Sequence, residues 1–329
     1  MQCLASPYPL WHAAPAVDCA GTAPDIQLDL APAAAEAHAW ELLPWTVVRE
    51  HVGANWRLTL AVAPSQSDAA LRLSTLKAAD ETTVLFGRNA EKIVVRWRTR
   101  GQDSEQFWRG LSGWMLGTVL GYAMCLRGLP TLHGSVVEIE GRAVALLGAS
   151  GAGKSTLAGA LVAAGHAMLA DDHLVVRRAA AGQEKSTWYA LPGPPRLRLW
   201  PTSMRVFDKS AQPMSAWTDN DGKRHIEPAA AAYCAEPRPL AAIYVLMPRE
   251  PARREAASEE LAPAAALHTL MKQRFCPASS EVTQTAANLA ALAELVQQTP
   301  VRQLYRPEGL ETLGSVVAAV QGDLNNHGK

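Results

Sequence analysis

The sequence predicts an α/β protein in which a P-loop domain, with a mixed sheet and flanking helices, follows a small β-rich or α+β domain. Three observations lead to this fold class. Residues 148–155 read G-A-S-G-A-G-K-S and lie between an apolar strand-like run, 143–147, and a helix-forming run, 156–161. Short apolar or alternating runs recur through residues 1–100. The length of 329 residues suits two domains.

The first domain is expected to span residues 1–105 and to form one sheet. Its six strand-like runs are separated by Pro, Gly, Asn and Asp, and they are 26–30, 45–49, 56–62, 71–76, 82–86 and 92–97. Four tryptophans, Trp40, Trp45, Trp56 and Trp97, either line a binding surface or pack in the core, and the general burial of aromatic side chains favours packing. Substrate recognition is the functional interpretation of this domain, although it carries no chemical motif.

Residues 106–128 are predicted to form an apolar helix that links the two domains. The run 107–126 approaches the roughly 20 apolar residues that a membrane span requires. Arg109 near its start, four interrupting glycines and the absence of a second such run argue against a span. A buried helix is therefore expected, and no membrane partner.

The second domain, 129–329, is expected to hold a mixed sheet. Strands 135–139 and 143–147 are joined by the tight turn Glu140-Gly141, so they run antiparallel. Further strands are predicted at 167–169, 174–176, 187–191, 240–247 and 301–304, helices at 285–297 and 308–320, and a solvated loop at 249–260.

The overall charge and the cysteines limit the functional classes. The chain has 31 basic and 31 acidic residues, so no global field favours nucleic acid or an anionic membrane. The five cysteines are dispersed without a C-x-x-C pair, which indicates reduced thiols and no metal cluster. The first residues lack a basic start and a long apolar core, so no signal peptide is predicted. A cytoplasmic protein is expected.

The P-loop pattern predicts that a nucleoside triphosphate binds. Its glycines let successive backbone N–H groups turn toward phosphate oxygens, and the following helix adds the positive end of its dipole. Lys154 would reach the β- and γ-phosphates, and the Ser155 hydroxyl would bind Mg²⁺. The predicted nucleotide-binding residues are Gly148, Ala149, Ser150, Gly151, Ala152, Gly153, Lys154, Ser155 and Thr156.

Two adjacent aspartates, Asp171 and Asp172, begin seventeen residues after Lys154 at the end of a short apolar strand. Transfer of phosphate to a hydroxyl needs Mg²⁺ on the phosphates and a carboxylate that takes the hydroxyl proton, and two aspartates could divide these tasks. Their like charges would raise one pKa. The alternative is a single Walker B aspartate with an idle neighbour. His133, fifteen residues before Gly148, is either structural or close to the phosphates.

The order LHGSVVEIEGRAVALLGASGAGKST followed by GHAMLADDHLVV resembles the catalytic domain of bacterial HPr kinase/phosphorylase, a family of P-loop serine kinases. The resemblance covers residues 129–320. It implies that His133 joins the catalytic cluster, that 148–155 cradle the phosphates, and that Asp171 activates the acceptor serine. Asp172 would hold Mg²⁺ together with Ser155. The family also assembles into homo-oligomers.

Two arginines complete the catalytic set that the resemblance implies. The family's Glu-x-Arg segment corresponds to 196–198, so Arg198 matches its arginine whereas Arg196 replaces its metal-binding glutamate. Arg238 corresponds to an arginine that precedes a late apolar strand. The replaced glutamate bears on metal binding and on the phosphorylase half of the family's activity, and it indicates an acceptor other than HPr.

A closer resemblance is to HPr kinase-like serine kinases of peptide-modification clusters, including those of lasso peptides. It rests on R-L-R-L-W-P at 196–201, on Lys223-Arg224, and on V-R-x-L-x-R-P at 301–307. This resemblance implies that the acceptor is a serine on a precursor peptide or small protein, with ATP and Mg²⁺ as cofactors. The alternatives are a regulatory module that binds nucleotide without transfer and a kinase of a small-molecule hydroxyl.

Overall fold

The structure is a computed structural model that describes residues 26–33, 35, 37–53, 56–77, 80–99, 105–179, 187–206, 222–275 and 285–327. The chain divides into two compact units, with a boundary between Gly128 and Leu129. The expectations for the first residues of the chain, and for Cys3, Cys19 and Cys276, lie outside the described residues. The two cysteines that the structure does describe, Cys125 and Cys234, are free thiols.

The first unit contains one six-stranded sheet, and all six predicted strands are confirmed. They are β1 Gln27–Pro32, β2 Thr46–Val52, β3 Trp56–Val62, β4 Ala69–Lys77, β5 Asp80–Gly87 and β6 Lys92–Arg98. The order across the sheet is β1-β6-β5-β4-β3-β2, with β1 parallel to β6 and the other pairs antiparallel. A short 3₁₀ helix, Ala39–Leu42, precedes β2.

The apolar run after β6 forms a helix, as predicted, and this helix is part of the first unit. It consists of α1 Glu105–Trp114, a π-helical turn Met115–Val119 and α2 Leu120–Leu126. Trp97 of β6 is 2% exposed and packs edge to face on Trp108, with ring centroids 5.2 Å apart. Trp56, by contrast, is 47% exposed. No helix among the described residues has the length and apolarity that a bilayer span requires.

The second unit contains an eight-stranded mixed sheet. Its strands are β7 Thr131–Ile139, β8 Arg142–Leu147, β9 Ala167–Ala170, β10 His173–Arg178, β11 Trp188–Ala190, β14 Arg238–Glu250, β15 Ala257–Glu260 and β16 Val301–Pro307. The main order is β11-β10-β7-β8-β14-β16-β15, and β9 pairs with β7. The central strands β8, β14 and β16 are parallel, while β7 runs antiparallel to β8 as the turn predicted. A separate ribbon pairs β12 Leu197–Leu199 with β13 Arg224–Ile226.

Helices cover both faces of this sheet. They are α3 Lys154–Ala163, α4 Pro263–Lys272, α5 Thr285–Gln298 and α6 Leu313–His327, with 3₁₀ turns at Pro201–Val206 and Ala230–Ala232. Side chains alternate along β8, so Val144 and Leu146 pack with residues of α3 and α6, while Ala145 and Leu147 pack with residues of α4 and α5. Burial on both faces explains why this strand is a continuous apolar run.

Three predictions of secondary structure in this unit need correction. The charged run 249–260 is not one solvated loop, because β14 continues to Glu250 and β15 begins at Ala257. Edge strand β15 is mostly exposed and tolerates its charges, and Glu260 forms an ion pair with Arg302 at 3.0 Å. Helix α4 was not predicted, and α6 begins five residues later than expected.

The close approach of β7 to β8 predicts an asymmetry between two glycine substitutions. A Cβ at Gly134 would overlap the Leu147 side chain and lie 2.9 Å from the Leu146 carbonyl oxygen. Gly134→Ala should therefore lower the free energy of unfolding by about 1–3 kcal/mol. Gly322→Ala, in helix α6 with nothing within 4 Å, should raise it by about 1 kcal/mol. Urea denaturation measures both, and equal effects would contradict the packing described.

Candidate functional site

The P-loop lies at the carboxyl ends of the central parallel strands, where β8 ends at Leu147 and α3 begins at Lys154. Gly153 precedes the helix with φ +95°, a conformation that L side chains rarely adopt. The Lys154 side chain is 7% exposed, and its Nζ donates to the carbonyl oxygens of Gly148 at 2.9 Å and Ala149 at 3.1 Å. Burial lowers the pKa of Lys154. The Lys154 side chain therefore folds back onto the P-loop.

Three elements converge on the carboxylate of Asp171. The Ser135 hydroxyl of β7 donates to Oδ1 at 2.6 Å, and the Ser155 hydroxyl of α3 donates to the same oxygen at 2.9 Å. The backbone N–H of Arg198, in β12, donates to Oδ2 at 2.9 Å. Burial raises the pKa of Asp171 and the charge of Asp172 raises it further, although the three hydrogen bonds act in the opposite direction. The pKa of the Asp171 carboxyl is thus raised, which is the direction that suits a general base.

The neighbouring carboxylate of Asp172 has the opposite electrostatic character. Burial alone would raise its pKa, but the charges of Arg198 and Arg196 outweigh burial and hold the pKa well below its usual range. The Arg198 Nη1 lies 3.3 Å from Asp172 Oδ2. Asp172 also has φ +68°, which is uncommon for a residue other than glycine and costs on the order of 1–3 kcal/mol. The turn at Asp172 therefore places the carboxylates of Asp171 and Asp172 in different electrostatic environments.

Two histidines face each other across β7 and β10. The His133 Nδ1 lies 3.0 Å from the carbonyl oxygen of Asp172, which can only accept, so Nδ1 carries the hydrogen. Burial and the charge of Lys154 lower the pKa of His133, so its ring is neutral near pH 7. His173, its partner in the strand register, is 5% exposed and packs edge to face on Phe275 with ring centroids 4.5 Å apart. Burial lowers the pKa of His173 to about 4.

A cavity of about 420 Å³ joins these groups. It is lined by residues of the P-loop and the start of α3, by the aspartate pair and His133, and by residues in or near β12, β14, β16 and α6. They include His133, Lys154, Ser155, Asp171, Asp172, Arg198, Trp200, Lys223, Arg249, Arg306, Pro307, Leu310, Leu313 and Val316. Of the predicted nucleotide-binding stretch, Ser150, Gly151, Gly153 and Thr156 also line the cavity.

The structure brings together His133, Asp171, Asp172, Arg198 and the P-loop, but it places Arg238 elsewhere. Arg238 is the first residue of β14 and pairs with Ala190 of β11. Because β14 runs parallel to β8 and its Val245 pairs with Leu147, the P-loop meets the other end of β14. An arginine that precedes a strand therefore cannot reach a site at the carboxyl ends of the strands.

Two arginines that sequence reasoning did not assign to the site take that position instead. Arg249 lies near the carboxyl end of β14, and Arg306 near that of β16. Both line the cavity beside Gly153. The sequence signal for Arg249 was a charged residue soon after the strongly apolar part of β14. Because β14 is parallel to β8, residues at its carboxyl end lie near the P-loop that follows β8.

The contacts of Ser155 and the aspartates bear on Mg²⁺. Mg²⁺ in nucleotide sites is held by one or two carboxylates together with phosphate oxygens and waters. The Ser155 hydrogen is taken by Asp171, so the lone pairs of its oxygen remain for a cation. The expected partner Asp172 is instead paired with Arg198. Among the described residues, no group of three or more His, Cys, Asp or Glu side chains is placed to hold a metal. The Ser155 oxygen, next to the Asp171 carboxylate, suits a cation that takes its other ligands from phosphates and waters.

Comparisons with known proteins match the segment that carries this site. Residues 127–187 match the family model described as HPr Serine kinase C-terminal domain. The HPr kinase/phosphorylase of Chlorobium phaeovibrioides is 52% identical over 46 residues, which is 14% of each chain. That of Caldanaerobacter subterraneus subsp. tengcongensis is 46% identical over 55 residues, 17% of each chain. The chain thus matches less than a fifth of the length of these relatives.

A similar solved structure is the Hpr(Ser) kinase/phosphatase from Coxiella burnetii. It is 13% identical and aligns over 60% of this chain and 99% of that chain, with a TM-score of 0.31. At this TM-score the likeness supports no statement about the site. The matched segment 127–187 contains His133, the P-loop and both aspartates. It ends before Arg198 and the two arginines that follow β14 and β16.

His173 predicts a pH dependence of stability. Its pKa is about 4 in the folded protein against 6.5 for the unperturbed group, so below pH 6.5 the unfolded chain takes up the proton first. The contribution of His173 to stability is therefore present above pH 6.5 and is lost, by about 3 kcal/mol, as the pH falls to 4.

Urea denaturation between pH 4 and pH 7 tests this. His173→Phe keeps the aromatic contact with Phe275 and should flatten the loss of stability at acid pH relative to the wild type. His268→Gln, which removes an exposed histidine of α4, should leave the wild-type dependence unchanged. A dependence that is the same in His173→Phe and the wild type would contradict the assignment.

Proposed function

We propose, because residues 127–187 fall in the HPr serine kinase C-terminal domain family, that this protein is a nucleotide-dependent serine kinase. It transfers the terminal phosphoryl group of ATP, as the Mg²⁺ complex, to a serine hydroxyl. The observation that carries the proposal is a buried carboxylate, Asp171, in direct contact with the hydroxyl that follows the P-loop lysine. A phosphate cradle and a proton acceptor are thereby joined in one cavity.

In the proposed reaction Asp171 takes the proton of the acceptor hydroxyl. The serine oxygen then forms a bond to the terminal phosphorus, the bond to the bridging oxygen breaks, and ADP leaves. A base works best when its pKa lies near the working pH, and burial together with Asp172 shifts the pKa of Asp171 in that direction. Oδ1 already accepts hydrogens from the hydroxyls of Ser135 and Ser155, so an acceptor serine would donate to the remaining lone pair of Oδ2 or take the place of one of these two hydroxyls.

The other groups in the cavity bind and orient. Mg²⁺, when bound with the nucleotide, supplies positive charge to the phosphate oxygens. Ser155 would hold it through its free lone pairs, with the ionised Asp172 as the nearby negative charge, while Asp171 accepts the Ser155 hydrogen. Lys154 and Arg198 are the cations at the loop and beside the aspartates, and each could neutralise charge on the migrating phosphoryl group.

The acceptor we propose is a serine of a peptide or small protein, such as a ribosomal precursor peptide of a modification cluster. Trp200 is 45% exposed at the cavity, and the Lys223 Nζ lies 5.7 Å from the centroid of its ring. An exposed aromatic ring with an adjacent cation suits a peptide chain better than a small polar metabolite. The first unit, with its own sheet, adds a folded surface that a small-molecule kinase would not need.

A regulatory module that binds nucleotide without transfer is the second candidate. It is favoured by Arg196, which the sequence resemblance aligns with the family's metal-binding glutamate. Arg196 is 4% exposed and its charge lowers the pKa of Asp172, so it acts directly on the carboxylate pair.

The role of Asp171 is tested by Asp171→Asn. The variant should lose transfer by about 10²–10⁴-fold, the usual contribution of a general base, while it still binds ATP. Transfer of labelled phosphate from ATP to serine-containing peptides and proteins, and calorimetric titration with ATP, measure the two properties separately. Full activity of Asp171→Asn would disprove the assignment of the base. A wild-type protein that binds ATP and modifies no acceptor would favour the regulatory module.

Asp172→Asn is the matched variant, because it makes the same chemical change at the neighbouring carboxylate. It should raise the Mg²⁺ concentration needed for half-maximal transfer and leave the rate at saturating Mg²⁺ closer to that of the wild type. The opposite pattern, in which Asp171→Asn shifts the Mg²⁺ requirement and Asp172→Asn abolishes transfer, would exchange the two roles.

A further inference from the structure

The cavity is lined by two adjacent arginines, Arg249 and Arg306, whose like charges repel each other. Arg306 is 4% exposed, and its Nη2 donates to the carbonyl oxygens of Ala152 and Met247, each at 2.9 Å. Burial and the neighbouring charge of Arg249 lower its pKa to about 10. Because it bonds the end of the P-loop to β14, Arg306 acts as a positioning residue for the loop.

Arg249 is the exposed member of this pair. Among the described residues its guanidinium has no hydrogen-bond or acidic protein partner, so it is open to solvent and to a ligand. Its Nη2 lies so near Gly153 that a Cβ there would be 2.9 Å away. Other cations of the cavity are held by acceptors, Lys154 by loop carbonyls and Arg198 by Asp172. A guanidinium next to a buried like charge gains most from an anion, because the anion offsets a repulsion that is already present.

The order of strands across the sheet indicates which part of a bound nucleotide would lie near Arg249. The strand that feeds the P-loop, β8, has β7 on one side and β14 on the other. On the β7 side, Ser135 is bonded to Asp171. The transferred phosphate must lie near the base, so the rest of the nucleotide extends toward β14 and β16, where Arg249 lies.

The wall beyond Arg249 suits a nucleoside. The end of β16, the residues after it and the start of α6 line the same cavity with the apolar side chains of Pro307, Leu310, Leu313 and Val316, next to the polar side chains of Glu308 and Thr312. Leu310 is 37% exposed, which leaves its surface accessible to a ligand. Pockets for nucleosides combine such apolar surface with a few placed polar groups.

We propose that Arg249 binds the non-transferred phosphates of the nucleotide, with the nucleoside against the apolar wall formed by Pro307, Leu310, Leu313 and Val316. The proposal rests on the proposed nucleotide-dependent function and specifies which end of the nucleotide lies at β14 and β16. Because ATP and ADP share these phosphates, Arg249 would contribute equally to the binding of both nucleotides.

The test compares Arg249→Ala with Arg253→Ala in the full chain. Arg253 is a matched control because it lies four residues away, pairs with Glu250 at 3.0 Å and covers the Tyr305 ring at 5.1 Å. Calorimetric titration with ATP and with ADP, each with Mg²⁺, measures affinity without any need for transfer. Arg249→Ala should weaken both nucleotides by about tenfold or more, the usual effect of losing a charge-assisted hydrogen bond, whereas Arg253→Ala should bind like the wild type.

The possible outcomes separate this proposal from the function on which it rests. If Arg249→Ala weakens ATP and not ADP, Arg249 contacts the terminal phosphate and the proposed orientation is wrong. If Arg249→Ala binds both nucleotides like Arg253→Ala, Arg249 has no role in binding, while nucleotide binding by the wild type still stands. A wild type that binds neither nucleotide would overturn the proposed function and this proposal together.

Discussion

The hydrogen bonding of the Asp171 carboxylate is the constraint on which the rest of the site depends. Removing a carboxylate from water costs several kcal/mol, so a buried one must be met by donors in good geometry. The donors here come from Ser135, Ser155 and the backbone of Arg198, on three different elements. Strand β7, helix α3 and the β12 ribbon are therefore fixed relative to one another at this point. The same carboxylate that orders the cavity is the one proposed to take the proton.

The mixed sheet explains why opposite charges gather on the two sides of the P-loop. The antiparallel hairpin of β7 and β8 places His133 and Ser135 beside the end of β8, and the turn between β9 and β10 adds the aspartates. The parallel partners β14 and β16 end on the other side, with Arg249 and Arg306. A wholly parallel sheet would bring only carboxyl ends to this edge. Mixing directions puts a pair of carboxylates and a set of cations within one cavity.

Much of the fold and part of the site follow from local sequence. The six strands of the first sheet were predicted from their alternation, and the P-loop from glycines placed between an apolar strand and a helix. The association of His133 and the aspartates with the loop came from their spacing and from the resemblance. The arginines could not be assigned in the same way, because whether Arg238 or Arg249 reaches the loop depends on the direction of β14 relative to β8. The charged strand β15 was missed because its place at a sheet edge, which makes those charges tolerable, depends on long-range pairing with β16.

Arg196 is buried near the aspartate pair and changes the balance of charge around it. A glutamate there would add a third carboxylate beside Asp171 and Asp172 and favour a second cation. The arginine does the reverse, because with Arg198 it holds Asp172 ionised and compensates its charge. Asp171 and Asp172 then share the cavity lining with Lys154, Arg198, Arg249 and Arg306, while Arg196 acts on Asp172 from a buried position. This excess of positive charge favours a polyanion over a free metal ion, so under the proposed function the cation would arrive with the nucleotide.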